Sequence, residues 1–372
     1  MACFPINIKK NAALLLLGLF VFFISHGQKS EENTYSLNGA ATYGVIIRHS
    51  KGIGVAGNSF PSGGFIEFNK HFYGDNAWEA RHNFPTFGIT LSYVDYNSEI
   101  TGETIGLSPH YTIHINRNRD SRHQFTYKMG FGLGYNTRPY SKDLNHQNHL
   151  LGSVWTFSIP AVLGYEYSFN NRWAVSTGLS AIHFSNGSIK KPNKGVNVAS
   201  LFAGVRFNTS RERPSYSYPE EEFVPKKPSI TLAAYGGMNE ANYIGAGSRP
   251  FLTMSAYVDK KLNHKLALLA GADMFWTSSL KEDIKYDLNV DQDQPPDYKR
   301  AALTAGFEYF INKISIVGQL GIYVYDPYKR YAFFYERVGM KYNFTEKLFA
   351  GMSIKAHYAN GELAEFGGGY RF

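Results

Sequence analysis

The stretch QFTYKMGFGLGY, residues 124–135, decides the fold. Phe125, Tyr127, Met129, Phe131, Leu133 and Tyr135 fall on one face, and Gln124, Thr126, Lys128, Gly130, Gly132 and Gly134 on the other. Successive side chains leave opposite faces of a pleated strand, so period two reads as β structure. The run is about twice the usual strand length and is edged by aromatics, as in a tilted strand that crosses an outer membrane.

Similar runs begin near Leu37, Pro61, Pro85, Thr101, Val154, Trp173 and Val196. Residues 209–228 (TSRERPSYSYPEEEFVPKKP) break the pattern with prolines and charges and read as an extended, solvated linker. A second series begins near Ile230, Phe251, Leu266, Arg300, Ile314, Tyr331, Leu348 and Leu363, and the chain ends GGGYRF. That ending resembles the C-terminal strand signal of bacterial outer-membrane barrels. The expected fold class is all-β: an antiparallel transmembrane β-barrel protein of about 16 strands in two eight-strand halves, residues 35–208 and 229–372. Alternation within strands does not say whether the halves close as two barrels or join as one.

Composition agrees. Aromatics make up 16% of the 372 residues and charged residues only 18%, with 36 glycines. No series of apolar runs of about 20 residues is present, which excludes a bundle of membrane helices. The aromatic content excludes a disordered chain. The one long apolar run, NAALLLLGLFVFFIS (11–25), follows Lys9 and Lys10 and ends at Ser25-His26-Gly27. A basic start, a short apolar core and small residues at the cleavage position predict a signal peptide over 1–27. The single Cys3 would leave with it, so thiol chemistry is not expected. Losing Lys9 and Lys10 lowers the formal net charge of +8 by two. The remaining basic residues sit in short loops, such as 116–122 and 188–194, and form no stripe for nucleic acid.

Chemistry concentrates at HFSNGSIKKPNKGVN, residues 183–197. Along the preceding strand Trp173, Val175, Thr177, Leu179 and Ala181 form the more apolar series, which should face lipid. His183 and Ser185 continue that series. On the following strand Ser200, Gly204 and Arg206 belong inside, which puts Asn197 outside. Parity thus predicts His183, Ser185 and Asn197 on one outer surface of two adjoining strands. Polar groups on a lipid face are costly unless they are partnered or near the interface. A row of interfacial polar residues would satisfy that rule; so would a Ser–His pair aimed at a lipid substrate.

These residues resemble the lipid A 3-O-deacylase (PagL-like, acyloxyacyl hydrolase) family of outer-membrane barrels. The family pattern is His-aromatic-Ser-Asn followed by a short loop with Lys, Pro, Asn and Gly. His183-Phe184-Ser185-Asn186, Ile189-Lys190-Lys191-Pro192-Asn193 and Gly195 match it. The resemblance implies an outer-membrane esterase acting on an acyl chain of lipid A, with lipopolysaccharide of the outer leaflet as partner and no cofactor or metal. Ser185 would be the nucleophile and His183 the base. Asn186 and Asn193 would support the oxyanion, and Lys190, Lys191 and Lys194 would contact lipid A phosphates. Asn197 departs from the pattern, because the family usually carries a carboxylate there. Weak activity is therefore expected, unless Glu99, Glu103 or Asp143 substitutes.

An internal repeat links the halves. GYEYSFNNRWAVSTGLSAIHFSNG (164–187) and GMKYNFTEKLFAGMSIKAHYANG (339–361) share Gly, Tyr-x-Phe and His-aromatic-x-Asn-Gly in order. Ala359 stands at the Ser position and a one-residue deletion turns His357 inward, so no hydrolysis is expected from the second half. The loop histidines His146 and His149 lack an acid or cysteine cluster at metal spacing. The competing reading is a non-catalytic barrel: a pore, adhesin or structural protein.

Overall fold

The computed structural model describes residues 34–48, 58–212, 215–220 and 227–372. The expected signal peptide lies outside the described residues. The first half contains β1 (Tyr35–Ile46), β2 (Ser62–His71), β3 (Thr86–Asp95), β4 (Glu103–His114), β5 (His123–Gly130), β6 (Gly132–Asn136), β7 (Trp155–Ser168), β8 (Trp173–Ser185) and β9 (Val196–Asn208), with a short helix α1 (Ala77–Arg81). The second contains β10 (Ser229–Glu240), β11 (Ser248–Lys261), β12 (Leu266–Thr277), β13 (Lys299–Phe310), β14 (Ile314–Tyr325), β15 (Phe334–Asn343), β16 (Leu348–His357) and β17 (Asn360–Arg371), with helix α2 (Ser279–Tyr286).

Two closed antiparallel barrels result. β1 pairs with β9 and β3 with β4, which closes the first; β10 pairs with β17, which closes the second. β5 and β6 are one strand in two pieces, since both pair with β4 and with β7 in one continuous register. The break at Phe131 differs from the single run expected over 124–135. Its cause is local: Pro109 on β4 and Pro160 on β7 flank Gly130 and Phe131, and neither can donate a ladder hydrogen bond.

Alternation holds through both barrels. Leu163, Leu179 and Leu201 stand exposed on the outer wall of the first, and Leu268, Leu303 and Leu320 on that of the second. A continuous apolar belt of this kind suits a bilayer and would aggregate in water. The lumens are filled with paired polar groups. In the first, Glu67 accepts from Lys128 and from Thr90 (3.1 Å), and His110 bridges Thr90 and Asn69 at 2.8 Å each. In the second, Arg337 meets Asp273 (2.6 Å) and Glu365 (2.8 Å), and Lys341 meets Glu308 (2.7 Å). Arg300 and Lys355 both pair with Glu362.

The barrels touch at both rims. At the rim near the chain ends, His82 Nε2 lies 3.0 Å from the Phe310 carbonyl and its ring meets Tyr309 edge-on. Part of the connecting segment also packs: the rings of Tyr216 and Tyr218 lie against Phe84, and the Ser217 N–H donates to the Tyr73 carbonyl (2.8 Å). Among the described linker residues Tyr216 is half-buried against Phe84, while Ser215, Ser217 and Tyr218 are exposed. The linker's Pro and charge content hid two aromatics that find an apolar partner.

Candidate active site

The site stands at the opposite rim, where β8 and β9 meet the loop 186–195. His183 and Asn197 are direct cross-strand partners, and Ser185 lies two residues on along β8, on the same face. The face is outward. Phe184, between His183 and Ser185, is fully buried in the lumen with Val196, Val198, Leu150, Leu151 and Tyr96. This apolar cluster plugs the barrel mouth directly behind the site. Burying a ring of this size contributes about 1.5–3 kcal/mol and fixes β8 in position.

On the outer side the three polar groups are joined. His183 Nδ1 is 2.6 Å from Asn197 Oδ1, and His183 Nε2 is 2.9 Å from Ser185 Oγ. With a carbonyl oxygen at Nδ1, that nitrogen carries the proton and donates, which leaves Nε2 to accept from the serine hydroxyl. Each ring nitrogen thus has a partner within hydrogen-bond distance, Asn197 at Nδ1 and Ser185 at Nε2. A hydroxyl, an imidazole and an amide oxygen stand in the order that a nucleophile, a base and an orienting group take in an activated serine.

The supporting groups are placed differently from one another. The Asn186 N–H donates to Asn193 Oδ1 (3.1 Å), and Asn186 Nδ2 donates to Ser153 Oγ (3.0 Å) and the Lys190 carbonyl (2.8 Å). Asn186 is therefore a buried loop brace, and Asn193 is fixed to it through its carboxamide oxygen. Gly195 has φ +72°, and a Cβ there would lie 2.8 Å from His183 Cε1 and 3.3 Å from the Ser185 Cβ. Its missing side chain makes room for the imidazole. The Lys194 and Gly195 N–H groups donate to His149 (3.1 Å) and Leu150 (3.0 Å), which ties the loop 137–154 behind the site.

The three lysines diverge. Lys190 is exposed and Lys194 half-buried. Lys191 turns to the second barrel: its N–H donates to Glu240 and its Nζ lies 2.9 Å from Asn242 Oδ1. Burial pushes the Lys191 ammonium below its ordinary value, opposed by Asp283 and Glu240. The rest of the loop is held the same way. The Glu240 N–H donates to the Ser188 carbonyl (3.0 Å), Ser188 Oγ to the Gly361 carbonyl (2.6 Å), and Ser248 Oγ to the Ile189 carbonyl. Sequence reasoning missed Ser153, Glu240, Asn242 and Ser248. They come from distant segments, and no spacing rule connects them to 183–197.

The corresponding region of the second barrel holds no such site. His357 and Asn360 pair across a two-residue turn, with Tyr358 and Ala359 both at positive φ. The whole catalytic-type loop has shrunk to that turn. His357 points into the lumen, stacked on Tyr331 and bonded to Tyr323 (3.1 Å). Among the described residues no group of three His, Cys, Asp or Glu side chains could hold a metal ion.

Family models match both barrels. Residues 62–206 match the family described as lipid A 3-O-deacylase (PagL), and residues 228–372 match the acyloxyacyl hydrolase C-terminal domain. The chain belongs to the PagL lipid A 3-O-deacylase family. Among solved structures, the outer-membrane enzyme PagL is 21% identical, with a TM-score of 0.31, over 45% of this chain and 97% of that one. Neisserial surface protein A is 12% identical, with a TM-score of 0.32, over 47% of this chain and 99% of that one. No curated protein sequence matches the chain.

Proposed function

We propose that the chain is an outer-membrane esterase that hydrolyses an ester-linked acyl chain of lipid A through Ser185 and His183. The observation that carries this reading is the unbroken chain Ser185 Oγ, His183 Nε2, His183 Nδ1, Asn197 Oδ1 on the outer wall, at 2.9 and 2.6 Å. Only a substrate that lies in the membrane surface reaches a nucleophile placed there.

Ser185 Oγ attacks the ester carbonyl carbon while His183 Nε2 takes its proton. Asn197 holds the imidazolium through the Nδ1 hydrogen bond. The carbonyl oxygen becomes an oxyanion, and the Asn193 NH2 supplies a donor to it. Collapse breaks the bond to the sugar oxygen, which leaves with the proton from Nε2. Water, deprotonated by the same nitrogen, then attacks the acyl-serine and releases a fatty acid and the free hydroxyl of Ser185. Lys190 and Lys194, on the loop beside the site, would contact the lipid A phosphates. Export through a cleaved signal peptide would bring the chain to that membrane.

The test is mass spectrometry of lipid A from cells that express the wild type or Ser185→Ala, with folding of both checked by heat-dependent gel mobility. Loss of one acyl chain with the wild type alone is expected. Identical lipid A in both would overturn the reading in favour of a non-catalytic barrel.

A further inference from the structure

The first barrel carries every group in the chain of hydrogen bonds from Ser185 to Asn197, yet the second barrel stands against the same site. Phe157 is the direct cross-strand neighbour of Ser185 on β7. Its ring lies 6.0 Å from Phe366 of β17 and 5.6 Å from Phe131. One residue beyond Asn186, a Cβ on Gly187 would meet Ala364 at 2.6 Å, Phe157 at 3.2 Å and Ile354 of β16 at 3.6 Å. Ala364 is fully buried although it sits on the outward series of β17 between the lumen residues Leu363 and Glu365. It is covered by the first barrel.

The two flanks of Ser185 differ. Toward β9 lie His183, Asn197 and Gly195, and toward β7 the wall is shared: Phe157 from one barrel, Phe366, Ile354 and Ala364 from the other. The four hydrogen bonds that pin Ser188, Ile189 and Lys191 to β10, β11 and β17 hold the two walls in register within a few residues of the nucleophile. The row below His183 is built from alanines, Ala161, Ala181 and Ala199, and gives way to Leu163, Leu179 and Leu201 one row further down.

We propose that the acyl chain of the scissile ester is held in the seam between the barrels, with Phe366 and Ile354 of the second barrel as its selectivity wall. This rests on the esterase reading. It assigns the catalytically empty half a direct contact with substrate: that half discriminates among acyl chains. Apolar walls discriminate through buried methylenes, each worth about 10-fold or more in kcat/KM when the pocket is well fitted.

Two measurements test it. Ser185→Ala protein in detergent micelles is mixed with a lipid A analogue whose ester-linked acyl chain carries a diazirine, and cross-linked peptides are mapped after irradiation. Cross-links in both 155–168 and 348–371 are expected. Cross-links confined to the first barrel, or none above a non-ester lipid carrying the same group, overturn the proposal whether or not the wild type hydrolyses lipid A. In the active protein, Phe366→Ala and the milder Phe366→Leu should change the kcat/KM ratio between a long-chain and a short-chain ester by about tenfold and a few-fold respectively. Leu303→Ala, on the far wall of the same barrel, should leave the ratio unchanged. An unaltered ratio in folded Phe366→Leu and Phe366→Ala would show that the second barrel only props the loop. Hydrolysis that persists in Ser185→Ala would instead remove Ser185 as the nucleophile and leave the seam proposal standing or falling on the cross-links.

Discussion

In the proposed mechanism Asn197 is the residue on which the strength of the reaction turns. Its amide oxygen lies 2.6 Å from His183 Nδ1, but it carries no charge to stabilise the imidazolium that would form as Ser185 gives up its proton. In a serine protease the acid-to-amide change costs about 10⁴ in kcat, partly through the wrong tautomer. Here Oδ1 faces the ring, so the tautomer is already correct and the loss is smaller. Asn197→Asp keeps the same atoms in place and adds the charge. It should raise kcat by about tenfold or more, measured as fatty acid released from lipid A micelles. It should also move the acid limb of the pH–rate profile upward, because a neighbouring carboxylate favours the protonated imidazole and the base acts only when neutral. A lower kcat in folded Asn197→Asp would mean that Asn197 does not orient the base. The positions of His183, Ser185 and Asn197 were legible from strand parity alone. What Asn186 does was not, because parity stops at residue 185 and the loop closes through a side chain from residue 153.

At the scale of elements, the loop 186–195 converts a barrel hairpin into a site, and Gly195 is its tightest joint. A positive φ there costs an alanine about 1 kcal/mol, and the added Cβ would press on the imidazole at 2.8 Å. Gly195→Ala should therefore lower kcat by about 10- to 100-fold, since a displacement near 1 Å is enough for that, while the barrel stays folded. Steady-state kinetics beside the heat-dependent gel shift separates the two effects; full kcat in the variant would show that the imidazole has room to spare. Strand positions were readable because a one-residue slip would turn every Leu of the belt inward, so sequence and register are locked together. Which strand closes on β1 was not readable. The same alternation serves β9 or β17 as neighbour, and the choice of β9 rests on three-dimensional pairing. The docking of Tyr216 and Tyr218 on Phe84 escaped notice for a related reason, since a proline-rich stretch has no periodicity to read.

For the whole molecule, the second barrel is where the esterase and pore readings part. Its lumen is crossed by ion pairs from end to end: Arg371 with Asp259 and Glu308 at 3.3 Å, Lys341 with Glu308, Arg337 with Asp273 and Glu365, and Arg300 and Lys355 with Glu362. The side chains of Glu308, Asp273, Glu365, Glu362 and Lys355 are almost wholly buried. Charges so placed are held by one another and not by water, so ions have no hydrated path past them. Purified protein in planar bilayers should give no stepwise conductance, and a reproducible channel would revive the pore reading. The same network predicts a stability effect that leaves chemistry alone. Glu362→Gln strands Arg300 and Lys355 together without their shared counter-charge, and breaking a buried pair from one side costs about 3–5 kcal/mol. Urea titration in detergent should show the second barrel unfolding at lower denaturant, while the first barrel keeps its register and Ser185, His183 and Asn197 keep their spacing. If Glu362→Gln loses selectivity among acyl chains at urea concentrations below those that abolish hydrolysis, then the wall beside Phe366 melts before the nucleophile does, as expected if one barrel performs the chemistry and the other chooses the chain.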